Sequence, residues 1–319
     1  MKWKKLGKIF DPTEHILANN CMEFAQSPQA LVFDDFVRIY FSTREMDDNG
    51  KYLSHISFVD FNKKFNKILN VASETVIPLG ALGCFDEHGI FPMSILRNAG
   101  NVYGYTCGIS RRVSVSVESS IGLAISYDDG LTFSRYGSGP ILTASLYEPF
   151  LVCDPFVGNY DEKFHMWYAY GTKWIRKVEK DRVAYRVYKI GHAVSEDGIK
   201  WAKDGEQLIK DKLNADECQA LPTVFHFKGK YHMYFCYRQA EDFKSNRNNS
   251  YRLGYATSAD LKNWVRDDAT AGIDVSEEGW DSNMMCYPNV FKCNNEVYLL
   301  YNGNDFGRNG FGIAKLKDG

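Results

Sequence analysis

Acids and bases recur in this 319-residue sequence at positions where they could act on one ligand. Glu23, Glu87 and Glu217 each stand five residues ahead of a proline: Pro28, Pro92 and Pro222. Asp86, Glu148, Asp154 and Asp281 lie near the same points of the repeating pattern, and His88 follows Asp86 and Glu87. Bases come later in each unit: Arg44, Arg111 with Arg112, Lys173, Arg238 and Arg308. Carboxylates and guanidinium groups gathered at one mouth suit a polar, many-hydroxyl ligand bearing phosphate or carboxylate, because guanidinium grips such groups with paired N–H donors. Trp174, Trp280, Tyr170 and Tyr287 offer flat faces for a sugar ring. Taken singly, a charge at a strand end is more often solvated or capping. Recurrence at matched positions is what favours the set.

The elements that must position these residues form a repeat. Five of the nine prolines, Pro28, Pro92, Pro155, Pro222 and Pro288, are spaced by 64, 63, 67 and 66 residues. Each opens a short apolar strand, a turn and an aromatic strand such as Phe164-His165-Met166-Trp167-Tyr168-Ala169. A third strand ends in an acidic turn and a further aromatic. Examples are the segments through Asp128-Asp129-Gly130 to Phe133, through Asp197-Gly198 to Trp201, and through Asp260 to Trp264. Asp-Gly between apolar strands is a hairpin signal. Four strands in about 64 residues, five times over, predict an all-β, five-bladed propeller of antiparallel blades, as one domain over residues 1–319. The last unit stops after its third strand, so Trp3 to Phe10 is expected to close it. In such a ring the start of the first strand and the end of the second share one mouth, which brings the acids and bases together. Trp201, Trp264, His192 and His226 read as packing residues, and the turn aspartates as turn formers rather than calcium ligands.

Composition narrows the function. Thirty-eight basic and forty acidic side chains give a net charge of −2, against a nucleic-acid partner. No apolar run reaches membrane-spanning length, and no apolar segment follows Met1-Lys2-Trp3-Lys4-Lys5. A cytoplasmic protein with no membrane partner is expected. The eight cysteines show no metal-ligand spacing and read as reduced thiols, with neither metal nor cofactor expected. The oligomeric state is left open.

The repeat resembles the five-bladed propeller of the glycoside hydrolases that include arabinanases, β-xylosidases, invertases and mannoside phosphorylases. Cys153-Asp154-Pro155 is similar to that group's Arg-Asp-Pro without the arginine. Glu217-Cys218 is similar to the Glu-Cys of invertases, and Ser195 to Trp201 to a hairpin of the group. The resemblance implies cleavage of a glycosidic bond with Glu217 as the acid, its pKa raised by Asp154. Glu23 is the candidate base or nucleophile, because Ser27 stands where the group carries an aspartate before proline. The remaining candidates for ligand binding are Asp86, Glu87, His88, Arg44, Arg111, Lys173, Arg238, Trp280, Asp281 and Tyr287. Phosphorolysis, or action on a phosphorylated or nucleotide-linked sugar, is the second reading, and a non-catalytic carbohydrate-binding propeller the third.

Overall fold

The computed structural model describes residues 1–176 and 184–317. Strand β1 (Trp3–Phe10) precedes five similar passes of the chain. The first blade is β2 (Glu23–Val32), β3 (Phe36–Met46), β4 (Tyr52–Asn62) and β5 (Ile68–Val71). The second is β6 (Ile90–Asn98), β7 (Asn101–Arg111), β8 (Val117–Ser126) and β9 (Ser134–Arg135), and the third β10 (Val152–Tyr160), β11 (Lys163–Ile175), β12 (Tyr185–Ser195) and β13 (Ala202–Lys203). The fourth is β14 (Cys218–Phe227), β15 (Lys230–Arg238), β16 (Arg252–Ser258) and β17 (Trp264–Arg266). The fifth joins β18 (Cys286–Cys293), β19 (Glu296–Asn302) and β20 (Phe311–Leu316) to β1. All pairings between these strands are antiparallel, so the protein is the five-bladed propeller that the proline spacing predicts.

The ring closes where it was expected to. Trp3 pairs with Leu316 and Phe10 with Phe311, with the register slipping between Lys5 and Gly7 and between Lys8 and Phe10. The Trp3 indole donates to Tyr234 Oη of the fourth blade at 2.8 Å, and Phe10 packs on Phe41 of the first. The strand thus ties the last blade to both neighbours.

Aromatic residues do the packing between blades. Tyr40 and Tyr105, both on second strands, donate to the carbonyls of Gly130 (2.7 Å) and Gly198 (3.2 Å) in the outer turn of the next blade. Those glycines have φ of +81° and +73°, and an added Cβ would meet the tyrosine oxygens at 2.0 and 2.8 Å. The Asp-Gly turn is therefore fixed twice, by the left-handed backbone and by the neighbouring blade. Asp197 accepts the amides of Ile199 and Lys200 at 2.8 Å, as a turn former should. His192 is buried between His165 (3.0 Å) and Asp204 (2.7 Å), and Trp201 lies edge-on to Tyr105. All eight cysteines are free thiols. No helix among the described residues is long and apolar enough to cross a membrane.

Candidate functional site

The prolines mark a local distortion that aims side chains at the axis. In every innermost strand the pairing slips around the proline: between Gln26 and Gln29, Ile90 and Met93, Cys153 and Phe156, Ala220 and Thr223, and Cys286 and Asn289. The residue ahead of the proline has positive φ in four blades: Ser27 (53°), Asp154 (56°), Leu221 (45°) and Tyr287 (59°). Phe91 holds the position in the second blade, before a cis peptide bond. A bulge re-aims a side chain, and a left-handed non-glycine residue costs about 1 kcal/mol or more, so the surrounding sheet must impose it. Phe91 and Tyr287 line the axial cavity, with Asp154 in the small chamber beneath it. Of the five equivalent positions, one carries an acid.

That cavity, of about 570 Å³, draws its walls from all five blades. Phe91, Arg186, Tyr251 and Tyr287 continue from it into a floor chamber of about 60 Å³ that holds Asp154, Cys107 and Cys153. A side groove of about 460 Å³ shares Arg186, Arg238, Phe243 and Lys244 with the main cavity. Asp154 is 7% exposed. Burial pushes its carboxyl up to about 6, against the pull of the Arg186 guanidinium and a hydrogen bond from the Leu221 amide.

The remaining charge is mostly positive. Arg111 is paired with Asp47 at 2.6 Å, and Arg308 with Glu23 at 3.0 Å. Arg44, Arg186, Arg238 and Lys244 form no ion pair among the described residues. Arg44 stacks on Phe24 (4.4 Å) and Tyr52 (5.2 Å), and its buried Nε has no hydrogen-bond partner among the described residues. Arg238 lies over Phe243 at 3.6 Å and donates to Tyr188 Oη at 2.8 Å. Desolvation and the positive field of Arg186, Arg44 and Arg238 lower the pKa of Lys244. Like charges brought together with little water repel, and an anion relieves both costs. Among the described residues the one further acid on the cavity wall, Asp305, is exposed.

The structure sends most of the predicted acids elsewhere. Glu217 is fully buried and lines none of these spaces. Its Oε1 accepts from Arg266 (2.6 Å) and Gln219 (3.0 Å), and its Oε2 from the amides of Lys212 and Leu213, both at 2.9 Å. Three other blades repeat the arrangement. Asp86 binds Arg135 at 2.5 Å, Glu148 binds Lys203, and Asp281 binds Lys5 at 2.7 Å. In each case an acid ahead of the innermost strand meets a base on the outermost strand of the same blade. The cation also lies near the ring of a second-strand aromatic: Lys203 near Tyr168, Arg266 near Phe235, Lys5 near Tyr301. The recurring acids that the spacing groups with the bases are thus largely the inner halves of blade-spanning ion pairs.

Of the other candidates, His88, Arg44, Arg111, Arg238 and Tyr287 line the cavity. Glu23 reaches its rim through Arg308, and Glu87 caps the amide of Gly83 at 2.9 Å. Lys173 pairs with Asp216 at 2.5 Å, and Trp280 stacks on Tyr301 within the fifth blade. Sequence reasoning missed Arg186, Tyr251 and Lys244. The first two open third strands, or precede one directly, and an antiparallel blade places that point at the same mouth as the end of its second strand. Lys244 lies in a loop with no repeat to flag it. Among the described residues no three His, Cys, Asp or Glu side chains converge to hold a metal ion.

No family model matches the sequence. Two Mycobacterium tuberculosis proteins, Rv1502 and MT1551, both described as uncharacterized, are 32% identical to it over 324 residues, covering the full length of each protein. Solved structures share the fold at lower identity. A complex of BT0996 with RGII superposes with a TM-score of 0.72 at 18% identity, covering 98% of this protein and 91% of that one. A β-1,2-mannobiose phosphorylase from Listeria innocua gives 0.68 at 11%, covering 99% and 96%. A thermostable family-43 glycoside hydrolase gives 0.67 at 13%, covering 95% and 94%. The five-bladed propeller of the glycoside hydrolases is therefore the fold of this chain.

Proposed function

This chain belongs to the family of the mycobacterial proteins Rv1502 and MT1551, and we propose that it transfers a glycosyl group between a phosphate oxygen and a hydroxyl. The observation that carries this reading is the cavity's charge: one buried carboxyl on the floor, with four cations above it that have no carboxylate partner among the described residues. Hydrolysis of an ordinary glycoside calls for two carboxyl groups, one to protonate the leaving oxygen and one to activate water or attack carbon. Phosphate changes that requirement. Its oxygen is already a competent nucleophile or leaving group, and fixed cations stabilise its charge in the transition state.

A single carboxyl then serves both directions. Where an alcohol leaves and phosphate attacks, Asp154 donates the proton. Where a hydroxyl attacks a glycosyl phosphate, the bond between C1 and the phosphate oxygen breaks and its electron pair leaves with the phosphate. The new C1–O bond forms, and the hydroxyl proton passes to Asp154. A pKa of about 6 suits both tasks. Arg44, Arg186 and Arg238 hold the phosphate, and Phe91 and Tyr287 flank the sugar above the floor. The fold shared with a mannobiose phosphorylase supports the reading.

Purified protein should release free phosphate from glycosyl phosphates, or cleave glycosides only when phosphate is added. Asp154→Asn should lower the rate about 10²- to 10⁴-fold. In the direction where Asp154 is the base, the rate should rise with pH through about 6, and in the reverse direction it should fall. Undiminished cleavage of glycosides in phosphate-free buffer would overturn the proposal.

A further inference from the structure

We propose that the phosphate-bearing substrate is a nucleoside diphosphate sugar, bound with its sugar over the floor, its diphosphate across the cation cluster and its base in the side groove. This deepens the function proposed above and rests on it. The layout of the three spaces carries the inference. The floor chamber and the side groove open from the main cavity at different points, and Arg186 borders all three spaces. Arg238 and Lys244 stand with it on the boundary between cavity and groove. A ligand spanning floor and groove must therefore place its negative charge in the middle, with a group of different chemistry at each end.

The two ends differ as such a ligand requires. The floor offers a carboxyl, thiols and the Tyr188 hydroxyl, a polar surface for a sugar. The groove offers Trp174, Tyr185 and Phe243. Trp174 and Tyr185 lie at the mouth ends of β11 and β12, one register step apart, with Ile175 opposite Tyr185 and Trp174 opposite Arg186. Both are half-buried, and among the described residues neither ring contacts another ring or a cation. Phe243 is already covered on one face by Arg238 at 3.6 Å. An aromatic ring such as Trp174 beside an arginine cluster suits a flat heterocycle next to phosphate. A simple sugar phosphate would leave the groove unused, and a diphosphate matches the three cations at the boundary better than one phosphate does.

The reaction is the transfer already written, with the nucleoside diphosphate as leaving group. The C1–O bond to its terminal phosphate breaks, the electron pair stays on that oxygen, and water or a sugar hydroxyl supplies the new bond to C1 and gives its proton to Asp154. The cation cluster takes up the charge released, so the leaving group needs no acid.

Titration calorimetry with UDP, GDP, ADP and dTDP, each compared with inorganic pyrophosphate, tests the proposal on the full chain. At least one nucleoside diphosphate should bind about tenfold or more tighter than pyrophosphate, as expected for one stacked base. Trp174→Ala should erase that difference while leaving pyrophosphate affinity and the melting temperature unchanged, whereas Arg186→Ala should weaken all of these ligands together. Equal affinity for pyrophosphate and every nucleoside diphosphate would overturn the inference. So would turnover of glycosyl monophosphates that nucleoside diphosphate sugars cannot match, which would leave the transfer reaction itself standing. Tight nucleoside diphosphate binding with turnover insensitive to Asp154→Asn would instead sink the function proposed above and keep the ligand.

Discussion

Asp154 and Glu217 are both buried carboxylates, one blade apart, and they show how partners decide what a buried acid can do. Glu217 sits ahead of its innermost strand, where Arg266, Gln219 and two backbone amides occupy both oxygens. Asp154 sits within its innermost strand, at the bulge, where it meets the Leu221 amide and the field of Arg186 but no ion pair among the described residues. The first environment satisfies a carboxylate and closes it off from solvent. The second leaves burial uncompensated, so the proton is held up to about pH 6 and the group opens onto a cavity. A fully satisfied acid is a structural part, and an under-satisfied one facing a cavity is available for proton transfer.

This contrast can be broken most severely at the ring closure. Removing residues 1–10 takes away β1, the Lys5–Asp281 ion pair and the Trp3 bond to Tyr234. The truncated chain should lack a cooperative unfolding transition in circular dichroism. A sharp transition near that of the full chain would show that the fifth blade stands without its outer strand.

Next in size is Glu217→Ala, which leaves buried Arg266 with Asp268 as its one carboxylate among the described residues, beside the Lys210 carbonyl. Denaturant unfolding should show a loss of about 3–5 kcal/mol. If the variant is as stable as the parent yet inactive, Glu217 belongs to the site and the distinction from Asp154 collapses. Glu217→Gln with Arg266→Met removes both charges and leaves Asp268 to Lys212, so part of the lost stability should return.

The smallest effect carries the opposite sign. The folded carboxyl of Asp154 titrates near 6 against an ordinary 3.8, so the folded state binds this proton more tightly than the unfolded chain. Stability is therefore lost as pH rises from about 4 to about 6. Asp154→Asn escapes that loss and should be more stable than the parent at pH 8, by about 3 kcal/mol at most, with the difference vanishing below pH 4. Equal melting temperatures at pH 8 would mean that Arg186 already compensates the charge.

The propeller was legible in the sequence because each blade repeats the same local physics. Prolines at a regular interval, glycine in a left-handed turn and aromatics on second strands are all read from residue type and spacing, whereas the prolines were expected to open their strands and lie instead at a bulge within them. The site was legible only in part. Arg44, Arg111, Arg238, Tyr287, His88 and Asp154 reach the axial spaces, and of the six bases that the strand-end rule selected, Arg44, Arg111, Arg238 and Arg308 line the cavity while Arg112 and Lys173 pair with acids outside it. The acids were harder, since Asp86, Glu148, Glu217 and Asp281 recur with the same regularity as a functional ring would. Their partners Arg135, Lys203, Arg266 and Lys5 lie far along the chain, and for Lys5 at its other end. Regular spacing identifies equivalent positions without saying which neighbour satisfies them.

The sequence by itself determined five blades, their strand order and the strand that closes the ring, because those follow from short-range pattern and repeat length. Only the tertiary structure decided which charges remain unpaired. An ion pair depends on atoms brought within a few ångströms by folding, and the balance between burial and partners, rather than residue type, separates Asp154 from Glu217.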